Sequence, residues 1–167
     1  MKKNNDSKTQ VLWCLKQNRG IKIEEPNDNL CKVYIKKARS SLNMLNSAQE
    51  KNEIEWISTT AYYARYFVFY ALLQKCGIKS EIHECTISLA HFVFVEKKLI
   101  EKYLYEELEE SKELRIETQY YVVDQINLKK LKEHSEKSRN FVLKIEEVIE
   151  NLNEEEIRNI RKELQDL

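Results

Sequence analysis

Glycine and proline are nearly missing from this chain, with two and one among 167 residues. Sheet-rich folds spend such residues on turns about every 8–12 positions, so their scarcity excludes a sandwich or barrel and favours helices. Surplus charge of either sign is missing too: Lys+Arg and Asp+Glu stand at 28 each. A duplex-DNA binder carries a basic excess, so no duplex DNA partner is expected. Long apolar runs are absent. The longest, Tyr66 to Leu73, falls far short of the ~20 residues a bilayer crossing needs, so no membrane partner is expected. The opening MKKNNDSKTQ has no hydrophobic signal core, which makes the cytoplasm the expected location. C-x-x-C pairs are lacking as well. Cys14, Cys31, Cys76 and Cys85 read as packed, reduced thiols, although Cys76 and Cys85 flank one turn and could meet. No metal site and no cofactor are expected from these spacings.

What is present is helical periodicity. Residues 1–7 read as disordered, and Val11, Leu12 and Leu15 mark a short helix that stops near Gly20. Ile21 to Asp28 read as a linker, with Pro26 blocking helix and Asn27 or Asn29 ready to cap the next one. A helix over 29–49 carries the apolar stripe Leu30, Tyr34, Ala38, Leu42, Leu45 and Ala48. The next, over 53–76, is apolar nearly all round and must be the central element, with Tyr62, Tyr66 and Tyr70 one turn apart and Gly77 as its stop. A helix over 81–95 comes after it, with Ser80 as N-cap. Then come an acidic helix over 99–119, with Glu106, Glu109, Glu110 and Glu113 on one face, and a single helix over 128–152. Asn153 with Glu156 has the form of a capping box that starts a last helix. The expected fold is all-α: an up-and-down bundle of four to five helices over 29–152. A short N-terminal helix and linker occupy 1–28, and a C-terminal helix occupies 153–167.

Two stretches carry a resemblance. Ala61-Tyr62-Tyr63-Ala64, Ala71-Leu72-Leu73, Gly77, Lys79-Ser80 and His83, then Arg115 through Val122, together resemble the HEPN superfamily. They are more narrowly similar to prokaryotic HEPN proteins often encoded beside a minimal nucleotidyltransferase. The resemblance implies a dimerising helical bundle that handles nucleotide or RNA. Many such domains are metal-independent ribonucleases, in which an arginine is followed after four to six residues by a histidine. The histidine moves a proton at the ribose and the arginine neutralises the phosphorane charge. No arginine here has that histidine; the places after Arg115 hold Gln119, Tyr120, Tyr121 and Val122. A tyrosine, with pKa near ~10, is a poor base at neutral pH, which argues against a self-contained ribonuclease.

The function expected from the resemblance is therefore a homodimeric, non-enzymatic or weakly active partner of a minimal nucleotidyltransferase, in a toxin–antitoxin or nucleotide-handling system. Tyr120 or Tyr121 would accept AMP, and Arg115, Arg65 and His83 would bind nucleotide or RNA. Arg115 is also the one catalytic candidate. The alternatives are a metal-independent ribonuclease with a non-standard site, built on Arg115 with His83 or Tyr120, and a non-catalytic interaction module. Plainer readings stand beside these. Arg65 would be an outward arginine paired with a glutamate, Arg115 a member of a salt-bridge network with Glu109, Glu110 or Glu113, and His83 a helix-end hydrogen bonder. His91 and His134 carry no motif. The aromatic stripes would be core or dimer interface, and the basic run Lys129 to Arg139 either an RNA face or a complement to the acidic helix.

Overall fold

A computed structural model describes residues 2–120 and 127–167, with side chains from residue 7 onward. The order is α1 (Lys2–Lys16), β1 (Ile21–Ile23), α2 (Asp28–Glu50), α3 (Ile54–Lys75), β2 (Ile78–Ser80) and α4 (His83–Leu89). The chain runs from α4 through wider π-turns over Ala90–Val95, then forms α5 (Lys102–Tyr120), α6 (Leu128–Glu136), α7 (Ser138–Asn151) and α8 (Glu154–Gln165). The bundle is all-α, and among the described residues no helix is long and apolar enough to cross a membrane.

Helix α3 is the axis, packed by α2, α5 and α7. Its buried residues include Ala61, Tyr62, Ala64, Tyr66, Val68, Phe69, Tyr70 and Ala71 through Leu73. A helix buried on so many sides can only be central. The alanines let neighbouring helices approach, and each buried ring or branched side chain contributes about 1.5–3 kcal/mol. In α2 the stripe holds at Ala38, Leu42, Leu45 and Ala48, but it is Cys31 that is buried at the start, while Leu30 is exposed. The Asn27 side chain caps α2 by accepting from the Leu30 amide, and the capping box of Asn153 and Glu156 starts α8 as its sequence foretells.

Several expectations are corrected. Helix α1 starts at Lys2, inside the stretch read as disordered, and places Val11 and Cys14 in the core. Part of the linker is a strand. Ile21–Ile23 pairs antiparallel with Ile78–Ser80, so Ser80 is no helix cap; its hydroxyl donates to the Ile82 carbonyl, and α4 begins only at His83. The reversal between α3 and β2 rests on Gly77, whose φ of +69° lies in the left-handed region that favours glycine. Arg161 of α8 donates to carbonyls of Glu24, Cys76 and Gly77, tying the last helix to this turn. The helix expected over 128–152 breaks at Lys137, where the bonding to His134 and Ser135 ends α6.

The cysteines are not all free. Cys14 of α1 is joined to Cys85 of α4, with Cα atoms 5.7 Å apart, while Cys31 and Cys76 remain buried thiols. The partner of Cys85 is thus supplied by packing of α1 on α4, not by Cys76 across the nearby turn.

Candidate functional site

The ribbon of β1 and β2 turns the chain so that the first residue of α4, His83, lies against the tyrosines of α3. The Tyr66 ring stacks on the His83 ring with centroids 4.2 Å apart and planes 15° apart. The Tyr62 hydroxyl sits 2.6 Å from His83 Nδ1. Tyr62 is fully buried, so water cannot take its proton, and Nδ1 is its hydrogen-bond partner among the described residues. Burial also pushes the Tyr62 phenol far above its usual pKa, with smaller pushes from Tyr66, Tyr63 and Glu84 opposed by Arg115. The phenol therefore stays protonated and donates to Nδ1, and the imidazole carries its own proton on Nε2. Burial, then the positive charges of Arg115 and Lys112, hold the His83 pKa below the ordinary imidazole value against the pull of Glu84. At neutral pH the ring is neutral and presents an N–H.

Arg115 reaches this cluster from α5. Its guanidinium carbon stands 4.8 Å from the Tyr62 ring centre and 5.8 Å from that of Tyr63, and Nη1 donates to the Tyr63 hydroxyl at 3.4 Å. Among the described residues it forms no ion pair, and its buried Nε has no hydrogen-bond partner. The expected network with Glu109, Glu110 or Glu113 does not engage it there. One turn earlier, Lys112 pairs with Glu84, the residue after His83, and so binds α5 to α4. The fold thus brings together two of the residues read from sequence, Arg115 and His83, on a tyrosine floor.

Arg65 is elsewhere. It is fully buried rather than outward, and it faces α6 and α7. It donates to Ser138 Oγ at 2.6 Å, to the His134 carbonyl at 2.7 Å and to the Ala61 carbonyl at 3.3 Å, with Glu107 at 3.7 Å. Burial lowers its pKa to about 10, opposed by Glu107 and Glu110, so it remains charged at neutral pH. Its role is to hold the helix break at Lys137. His134, which carries no motif, is buried in the same network with Nδ1 3.0 Å from Glu110. Lys130 joins Glu110 at 3.0 Å, so part of the basic run does complement the acidic helix.

Tyr120 ends α5 and is 80 % exposed. Five residues beyond Arg115, it lies about 7.5 Å along the axis and about 140° around it, off the Arg115 face. Tyr121 lies outside the described residues. Among the described residues no group of three His, Cys, Asp or Glu could hold a metal ion. The residue that sequence reasoning missed is Tyr62, read as core; a phenol inside an apolar run needs a partner, and that need was the available signal.

The tyrosines of the buried helix α3 thus pack against an arginine of α5 and a neutral histidine of α4 within a helical bundle. The HEPN domain model matches residues 31–165, and the chain belongs to that family of helical, nucleotide- and RNA-associated proteins. No curated protein matches it.

Proposed function

We propose that this protein is a HEPN subunit that binds the phosphate of a nucleotide or RNA between Arg115 and the Nε2–H of His83. In this reading it partners a minimal nucleotidyltransferase in a toxin–antitoxin pair. The observation that carries the phosphate site is Arg115 itself. Its charge is held over two ring faces, it forms no ion pair among the described residues, and it stands beside a histidine fixed as a hydrogen-bond donor. A donor and a cation together suit a phosphate oxygen. The exposed hydroxyl of Tyr120 is the acceptor proposed for AMP.

Thermal shift tests the binding. A nucleotide or short RNA at ten times its dissociation constant should add about 1.4 kcal/mol of stability, and Arg115→Gln should remove that gain. No shift with AMP, ATP or RNA would leave an interaction module without nucleotide. Native mass spectrometry of the complex from its own host tests the partner: a bound nucleotidyltransferase, or one AMP on Tyr120 or Tyr121, supports it, and a bare homodimer with unmodified tyrosines refutes it.

The second reading is a metal-independent ribonuclease, favoured by Arg115 and His83 reaching the same tyrosine, Tyr62, from separate helices. It predicts RNA cleavage in EDTA that Arg115→Gln abolishes while helicity is kept. A verified dimer that cleaves nothing would exclude it.

A further inference from the structure

We propose that Tyr63 and Phe67 of α3, with Tyr34 and Lys37 of α2, form a stacking shelf next to Arg115. It takes a base of single-stranded RNA, and the flanking phosphates rest on Arg115 and Lys37. The proposal rests on the reading of Arg115 as a phosphate site.

From Ala61 to Gln74, every residue of α3 is buried except Tyr63 and Phe67. They lie one turn apart, so they share one face. Their rings stack at 5.3 Å with planes 24° apart, and Phe67 meets the Tyr34 ring at 6.1 Å. Within that span the window open to water is therefore made of π faces, whose other sides pack against the core.

A cation stands at each end of this window. Arg115 is 5.8 Å from the Tyr63 ring centre; Lys37 Nζ is 5.5 Å from that of Phe67 and 4.7 Å from that of Tyr34. Among the described residues neither forms an ion pair. The nearby carboxylates are engaged: Glu81 by Arg19 at 2.7 Å and Lys79 at 3.1 Å, Glu84 by Lys112. A cation over an exposed ring gains only about 0.5–1 kcal/mol, so both charges remain available to an anion.

The order cation, ring, ring, cation matches a chain that alternates phosphates with bases whose faces are free. A duplex hides those faces inside its stack. Beside Phe67 a surface cavity of about 280 Å³ is bounded by Tyr34, Lys37, Arg19, Ser80 and Glu81. Small-molecule pockets begin at roughly 300 Å³, so the space suits one base rather than a whole dinucleotide. A second copy of this chain on the same face would have to bury two unpaired cations, which disfavours it as the occupant.

The test is fluorescence anisotropy with a labelled single-stranded RNA of about 10 nucleotides, inside the usual range of single-strand site sizes, and with a duplex of equal length. The proteins are wild type, Phe67→Leu, Lys37→Gln and Arg115→Gln, each checked by circular dichroism. Wild type should prefer the single strand. Phe67→Leu keeps apolar bulk but loses the π face, and should weaken binding about 5- to 150-fold, as one lost base stack does. Lys37→Gln should reduce the slope of log affinity on log salt by about 0.7. If Arg115→Gln loses RNA while Phe67→Leu and Lys37→Gln bind like wild type, the shelf is wrong and the Arg115 site stands. If wild type binds neither RNA, the shelf is wrong, and the Arg115 site is then decided by the AMP and ATP thermal shifts. Equal affinity for duplex overturns the shelf, as does a Phe67→Leu variant that changes self-association but not RNA affinity.

Discussion

Breaking the Cys14–Cys85 bond should destabilise the fold sharply. The two cysteines are 71 residues apart, and both are fully buried where α1 meets α4. In the chain-entropy account, a cross-link closing a loop of that length raises the free energy of the unfolded chain by about 4 kcal/mol. For a chain of this size each kcal/mol moves the melting temperature about 2–4 °C, so reduction should lower it by about 8–16 °C. The remaining thiols are poor candidates for exchange. Burial raises the pKa of Cys31 and lifts that of Cys76 to about 12, so neither is a thiolate at neutral pH. The assay is calorimetry of the oxidised protein, of the protein unfolded and refolded in reductant, and of Cys14→Ala/Cys85→Ala. A thiol count on the denatured, unreduced chain accompanies it and should find two free thiols. Four free thiols, or equal melting temperatures with and without reductant, would refute the reasoning. The effect should reach the site, because His83 begins the helix that Cys85 anchors: reduced protein should bind RNA more weakly even below its melting temperature.

Tyr62→Phe should free His83 Nδ1, raise the His83 pKa toward its ordinary value, and cost about 0.5–1.5 kcal/mol; imidazole ¹⁵N NMR reads both the tautomer and the titration. A wild-type spectrum with the proton on Nδ1 would overturn the assignment. Arg65→Met should cost about 3–5 kcal/mol in denaturant melts, because it strands Glu107 and the His134 carbonyl; a loss below 1 kcal/mol would show that this network is dispensable. Acid should destabilise the fold through His134, whose pKa is held below the usual imidazole range by burial and by Arg65, against Glu110. The unfolded chain then binds the proton more readily, so stability falls as pH drops below about 6.5 and levels off beneath the folded value, at up to about 1.4 kcal/mol per unit. Glu107, whose pKa is raised, opposes this weakly, His83 adds to it in the same range, and His134→Gln should make the profile between pH 7 and 5 shallower.

The helices were legible because apolar residues recur with a helical period and because Asn27 and Asn153 announce two starts. The ribbon was not legible. Strands of three residues show no alternation, and Ile21 finds its partner Ser80 only after α2 and α3 have folded back. Arg65 was misread for a sound reason: burying a charge is costly, so an arginine in an aromatic run reads as outward. Its compensation comes from Ser138, His134 and Glu107, none near it in sequence. Arg115 was legible by resemblance and His83 by its place after Gly77. That they meet was not, because the meeting depends on the ribbon that aims α4.

That meeting also separates the two functional readings on chemical grounds. A ribonuclease base needs a ring nitrogen with a free lone pair facing the ribose. Here the lone pair of Nδ1 is taken by a buried phenol that has no water to donate to, and Nε2 already holds a proton. Catalysis by His83 would require Tyr62 to let go, at the cost of an unsatisfied buried hydroxyl, whereas phosphate binding uses the histidine as it stands. If His83 is nonetheless a base, Tyr62→Phe should raise the cleavage rate by freeing the ring. If it is a donor, the same change should keep phosphate binding and create no cleavage. The one variant thus separates the two readings.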